Sequence, residues 1–72
     1  MDNMQLAGRI RAFRKLKGYT QQQLADRLAV SVAVLGAIER GNRIPDAKIV
    51  TEISQQLGIA VEELTGESNG LL

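Results

Sequence analysis

Apolar residues recur along this chain at the spacing of helices rather than of strands. Leu6, Ile10 and Phe13 stand at i, i+4 and i+7, with Leu16 beside them, which predicts an amphipathic helix from Met4 to Lys17. Asp2 or Asn3 can cap its start, and Gly18 supplies a left-handed exit. Thr20-Gln21-Gln22-Gln23 has the form of a capping box, in which Thr20 accepts from the Gln23 amide and the Gln23 side chain reaches back. Leu24, Ala25 and Leu28 continue it as a buried stripe about two turns long, too short to stand without neighbours.

The next stretch is less regular. From Leu28 to Ile38 the only side chain with a hydrogen-bonding group is that of Ser31. Ser31 reads as a second cap, opening a helix that runs to Arg40 and leaves through Gly41. Val30, Val32, Val34 and Ile38 favour a strand instead. Against the strand, Leu35, Ile38 and Glu39 share a face only at helical spacing, and the chain offers no second strand to pair with it. The helix is weak by propensity, because of Gly36 and the β-branched residues, and needs tertiary packing.

Asn42-Arg43-Ile44-Pro45 reads as a loop, with Pro45 holding Ile44 extended and Asp46 capping the next helix. Ile49, Val50, Ile53 and Leu57 recur at helical spacing until Gly58, with Ile59 placed for a Schellman contact. Val61 to Thr65 makes a last turn carrying Val61 and Leu64. The pattern therefore predicts an all-α fold of five helices in one domain over residues 1–66, with 67–72 as a flexible tail.

Composition narrows the chemistry. The 72 residues contain neither Cys nor His, which removes disulfides, thiolate metal sites, the usual zinc ligand and the commonest general base. No phosphate-cradling glycine motif and no acidic pair in a plausible cleft is present, and Glu62-Glu63 reads as solvated charge, so no enzyme, cofactor or metal is expected. No apolar run reaches the ~20 residues of a membrane span, so a cytoplasmic protein is expected. The formal net charge of +1 hides an asymmetry: residues 1–45 hold eight Lys/Arg against three Asp/Glu, whereas 46–72 hold one against five. One end can meet a polyanion, or both faces are simply solvated. Arg14, Lys15 and Lys17 either complement the dipole of the first helix or reach phosphates.

Taken together, GYTQQQLADRLAVS, AIERGNRIP and QQLGIAVEEL resemble the lambda-repressor-like, Cro/C1-type helix-turn-helix family, from about Leu6 to Leu64. The resemblance implies a motif over 20–41: a first helix from Thr20 to Leu28, a turn at Ala29–Ser31, and a recognition helix from Val32 to Arg40 lying in the major groove of double-stranded DNA. It implies phosphate contacts from Gln21, Asn42 and Arg43, and a structural ion pair between Arg14 and Glu39 in which Arg14 offers a spare N–H to phosphate. Independently, Gln21 lies at a helix start, where free N–H groups attract an anion, although it is also a good first-turn residue. Arg40 is either another phosphate contact or a dipole-complementing charge.

The chain departs from the family where bases are read. At about 100° per residue, Leu35, Ile38 and Glu39 point inward, Ala33, Gly36, Ala37 and Arg40 outward, and Val32 and Val34 flank them. Val32, Ala33, Gly36 and Ala37 form the expected base-facing set, and none can make the bidentate hydrogen bonds that select guanine or adenine. Three readings compete: DNA read through thymine methyls, backbone contacts and shape; a protein partner docked on the apolar face; or weak, non-specific DNA binding. The first makes the chain a bacterial or phage repressor-type regulator. A homodimer is expected through the last helix and tail, with Val61, Leu64, Leu71 and Leu72 as candidates, though Val61 and Leu64 can equally be core. Ala60 stands where the family often has a capping serine.

Overall fold

The structure, a computed structural model, describes residues 3–66. It contains α1 (Asn3–Leu16), α2 (Gln21–Leu28), α3 (Val32–Glu39), α4 (Ala47–Leu57) and α5 (Val61–Thr65), and no strand among the described residues. The five helices and their order match the periodicity. α1 packs on α3, α4 and α5, while α2 packs on α3 and α4, so of the two halves of the helix-turn-helix α2 rests on α4 and α3 on α1. Leu6, Ile10, Leu24, Leu28, Leu35, Ile38, Ile53, Leu57 and Leu64 make one continuous core.

The caps act as expected. Thr20 and Gln23 form a complete capping box, and Ser31 and Asp46 each accept the amide three residues on. Ala60 has no side-chain cap bond, so α5 relies on packing of the fully buried Leu64. Leu64 therefore belongs to the core and not to a dimer surface. Leu71 and Leu72, and the expected tail, lie outside the described residues.

Three expectations for α1 and α3 change. Asn3 is not a cap but the first helical residue, and its side-chain Nδ2 donates to the Gly41 carbonyl at 2.8 Å, tying the start of α1 to the end of α3; Asp2 lies outside the described residues. Leu16 does not join the α1 stripe and is 76% exposed, while Ala7 and Arg14 take the buried positions. α3 closes at Glu39, with Arg40 as its C-cap.

Four helices end with the same bond, an amide reaching five residues back: Tyr19 to Arg14, Val30 to Ala25, Asn42 to Ala37 and Ile59 to Ser54. Each such turn needs a left-handed residue. Gly18, Gly41 and Gly58 provide it in three, but in the turn of the helix-turn-helix the residue is Ala29, at φ 58°. A Cβ in this conformation costs about 1–2 kcal/mol. Ala29 is exposed, so nothing else depends on its methyl. Ala29→Gly is therefore expected to stabilise the domain by roughly 0.5–1 kcal/mol, the relief of strain less the extra entropy of an unfolded glycine. Urea denaturation would show a higher midpoint at unchanged slope.

Candidate nucleic-acid interface

The site is built around a charge held inside the protein. Glu39 sits on the inward side of α3 beside Leu35 and Ile38, and Arg14 reaches it from α1; both residues are only 7% exposed. Arg14 Nε donates to Glu39 Oε2 at 2.7 Å and Nη2 donates to Oε1 at 3.0 Å, a two-pronged match of planar groups. Arg14 Nη1 donates to the Tyr19 carbonyl at 2.9 Å, and Gln21 Nε2 donates to Glu39 Oε1 at 3.1 Å. The pair thus joins α1, the α1–α2 turn, the first residue of α2 and the last residue of α3. No buried side-chain nitrogen or oxygen among the described residues lacks a partner. Burying two charges is tolerable only with this degree of satisfaction.

The ion pair is present as expected, and Glu39 and Tyr19 together accept three of the five N–H donors of Arg14. Arg14 and Glu39 floor a groove of about 480 Å³ whose walls are Arg11, Gln21 and Arg40. Arg11 and Arg40 are exposed and have no ion-pair partner among the described residues, so the groove carries two cationic groups above a neutralised floor. It also opens beside the start of α2. There the capping box occupies the amides of Thr20 and Gln23, and those of Gln21 and Gln22 have no hydrogen-bond partner among the described residues. Unpaired amides and two arginines favour an anion. Arg11 was not among the residues expected from sequence. It stands three residues before Arg14 on the helix that supplies the ion pair, which was the available signal.

Gly36 is also placed differently. It is buried rather than outward: a Cβ there would lie 3.0 Å from Arg40 Nη1 and 3.6 Å from Gln21 Oε1. The missing side chain lets the Arg40 guanidinium lie back across α3 toward Gln21. Gly36 therefore shapes the groove instead of offering a surface to bases. Val32 and Ala33 are exposed and Ala37 is half-buried, leaving a face of methyl groups along α3. Ser31 Oγ accepts the Val34 amide at the head of this face. Past the other end, Asn42 and Arg43 project from an exposed loop, anchored by the bond from the Asn42 amide to the Ala37 carbonyl.

Among the described residues no group of His, Cys, Asp or Glu could hold a metal ion. No helix there is long and apolar enough to cross a membrane.

Two helices joined by a three-residue turn, the second presenting its outer face beside a cationic groove, are the arrangement of a helix-turn-helix domain. A helix-turn-helix family profile matches residues 10–64. The uncharacterized HTH-type transcriptional regulator YazB of Bacillus subtilis (strain 168) is 57% identical over 56 residues, covering 78% of this chain and 81% of the relative. Two further Bacillus subtilis relatives are longer, and the chain spans about half of each, 52% and 49%. Among solved structures, the clp gene regulator ClgR of Corynebacterium glutamicum superposes with a TM-score of 0.88 at 28% identity, covering 99% of this chain and 76% of ClgR. The restriction-modification controller protein C.AhdI of Aeromonas hydrophila gives 0.83 at 28% identity, covering 88% and 96%. The chain belongs to the helix-turn-helix family, as a lambda-repressor-like, Cro/C1-type domain of the transcriptional-regulator class, and not to a class of enzymes.

Removing the Glu39 carboxylate would strand the Arg14 guanidinium in the core. Glu39→Ala is expected to cost about 3–5 kcal/mol, a large share of the roughly 4–11 kcal/mol available to a domain of this size. Thermal denaturation by circular dichroism would show the loss, and an unchanged melting temperature would contradict this account of the pair.

Proposed function

We propose that this chain binds double-stranded DNA and acts as a repressor-like regulator of transcription, with α3 in the major groove and the start of α2 crossing the phosphate backbone. The carrying observation is the clustering of cationic and amide groups around the C-terminal end of α3. Arg11, Gln21 and Arg40 ring the groove at one edge, and Asn42 and Arg43 stand in the loop beyond. Phosphate-binding groups bordering an uncharged face fit a backbone alongside the groove that the face enters. In this reading Gln21 and the free amides of α2 take one phosphate together with Arg11 and Arg40. Asn42 and Arg43 take another. Arg14 acts through Glu39 and Gln21, holding the α2 start at a fixed angle to α3.

One small module supplies little affinity, so the active form in this reading is a homodimer on two half-sites ~34 Å apart or a multiple of that. With Leu64 in the core, the half-buried Val61 on α5 is the described residue left for that contact, together with the chain beyond residue 66. The protein would work in the cytoplasm, on the nucleoid. A second reading, in which the α3 face docks a protein, draws on the exposure of Val32 and Ala33. It is the weaker one, because small aliphatic side chains lack the aromatic and arginine anchors that dominate protein interfaces.

Affinity for duplex DNA is expected to fall with salt by about 0.9 log unit of K per log unit of salt for each phosphate contacted. Arg43→Ala should weaken binding to all sequences alike and reduce that slope by about one contact. Ala37→Glu should abolish binding while leaving the circular dichroism spectrum and melting temperature near those of the parent chain. Fluorescence anisotropy with labelled duplexes reads all three, and full binding by the Ala37→Glu chain would place α3 outside the groove.

A further inference from the structure

Given the proposed DNA-binding function, on which this inference rests, the α3 face poses a specific question of recognition. Each base pair presents donors and acceptors to the major groove, and thymine adds a C5-methyl group. Val32, Ala33 and Ala37 carry no donor or acceptor, so those polar patterns pass unread by them. Glu39, the one acidic side chain of the helix, is turned inward and held by Arg14 and Gln21. Arg40 lies back over Gly36 toward Gln21, away from the head of the helix. Ser31 Oγ is committed as acceptor to the Val34 amide. Its remaining proton is a donor that adenine, guanine and thymine edges can all accept, so it discriminates little.

What such a surface can distinguish is an apolar projection from its absence. We propose that α3 selects DNA through the C5-methyl groups of pyrimidines in the major groove, whether these belong to thymine or to 5-methylcytosine. Val32, 37% exposed at the head of the helix, is the main contact, with the methyls of Ala33 and Ala37 beside it. The short alanine side chains let the α3 backbone sit close enough for methyl-to-methyl contact. Burying a methyl against this face removes apolar area from water, whereas a bare C5–H leaves a gap that nothing on α3 fills. The same physics makes cytosine methylation a signal this domain reads as it reads thymine.

The test begins with selection of a preferred site from a random duplex pool, followed by anisotropy titrations of chemically altered versions of that site. Replacing contacted thymines by uracil deletes only the methyl, and is expected to weaken binding about fourfold per methyl with the salt slope unchanged. Replacing a contacted T·A pair by 5-methylcytosine·guanine is expected to bind about fourfold more tightly than the same pair with plain cytosine. Val32→Ala, at an exposed position, should shrink both differences while leaving the melting temperature near that of the parent chain.

Tight, salt-dependent binding that ignores both substitutions would overturn the methyl inference and leave the DNA-binding function standing. Sensitivity to thymine-to-uracil exchange with none to 5-methylcytosine would also overturn it, because the methyl itself would then not be what is read. Absence of salt-dependent binding to any duplex would overturn the proposed function, and this inference with it.

Discussion

The fold depends on a charge pair in its interior. Arg14 and Glu39 are separated by 25 positions in the chain, yet their contact brings α1, the α1–α2 turn, α2 and α3 to one point. Hydrophobic contacts alone are non-directional, and a helix of eight residues on a core of Leu and Ile can rotate or slide with little penalty. A bidentate guanidinium–carboxylate contact has a direction and a register, so it sets the angle of α3 against α2 as well as its depth. Gln21 extends that control to the start of α2. The geometry of the α3 face is thus a consequence of an interaction beneath it.

That arrangement divides α3 into two independent halves. The inward half, Leu35, Ile38 and Glu39, is fully engaged in core and ion pair. The outward half, Val32, Ala33 and Ala37, contributes little to packing and is free to be chosen for what it meets outside. A helix with β-branched residues and a glycine is poor by propensity, and it persists because its caps, its left-handed exit and its buried side are all satisfied. Gly36 illustrates the compromise. It weakens the helix locally, and in return Arg40 can lie back over α3 and close one wall of a cationic groove.

The short helices are held by their ends as much as by their faces. Thr20, Ser31 and Asp46 stop the chain from unwinding at three N-termini, and the repeated five-residue-back bond seals four C-termini. Ala29 is the exception in this scheme, a strained residue in the turn that joins the two motif helices. The strain is held by the surrounding pattern, since the Val30 amide still reaches the Ala25 carbonyl at 3.1 Å.

Much of this was legible in the residues themselves, for a physical reason. Caps, capping boxes, glycine exits and apolar spacing act over three to five positions, so Thr20, Ser31, Asp46, Gly41 and Gly58 announce helix ends without knowledge of what packs where. The Arg14–Glu39 pair was reached through resemblance and the inward angle of Glu39. What local spacing cannot register is which neighbour covers a position. A helical wheel turns Gly36 outward and groups Leu16 with the core, yet Gly36 lies beneath the side chains of Arg40, the C-cap of α3, and Gln21 of α2, and Leu16 at the end of α1 is left exposed. Arg11 joins the groove only because α1 and α2 lie side by side. The order of residues was enough to dictate the helices, their ends and the apolar character of the α3 face. Packing alone settled which charges are buried, which are exposed, and that two exposed ones converge on the start of α2, because burial and convergence are properties of packed helices and not of any one of them.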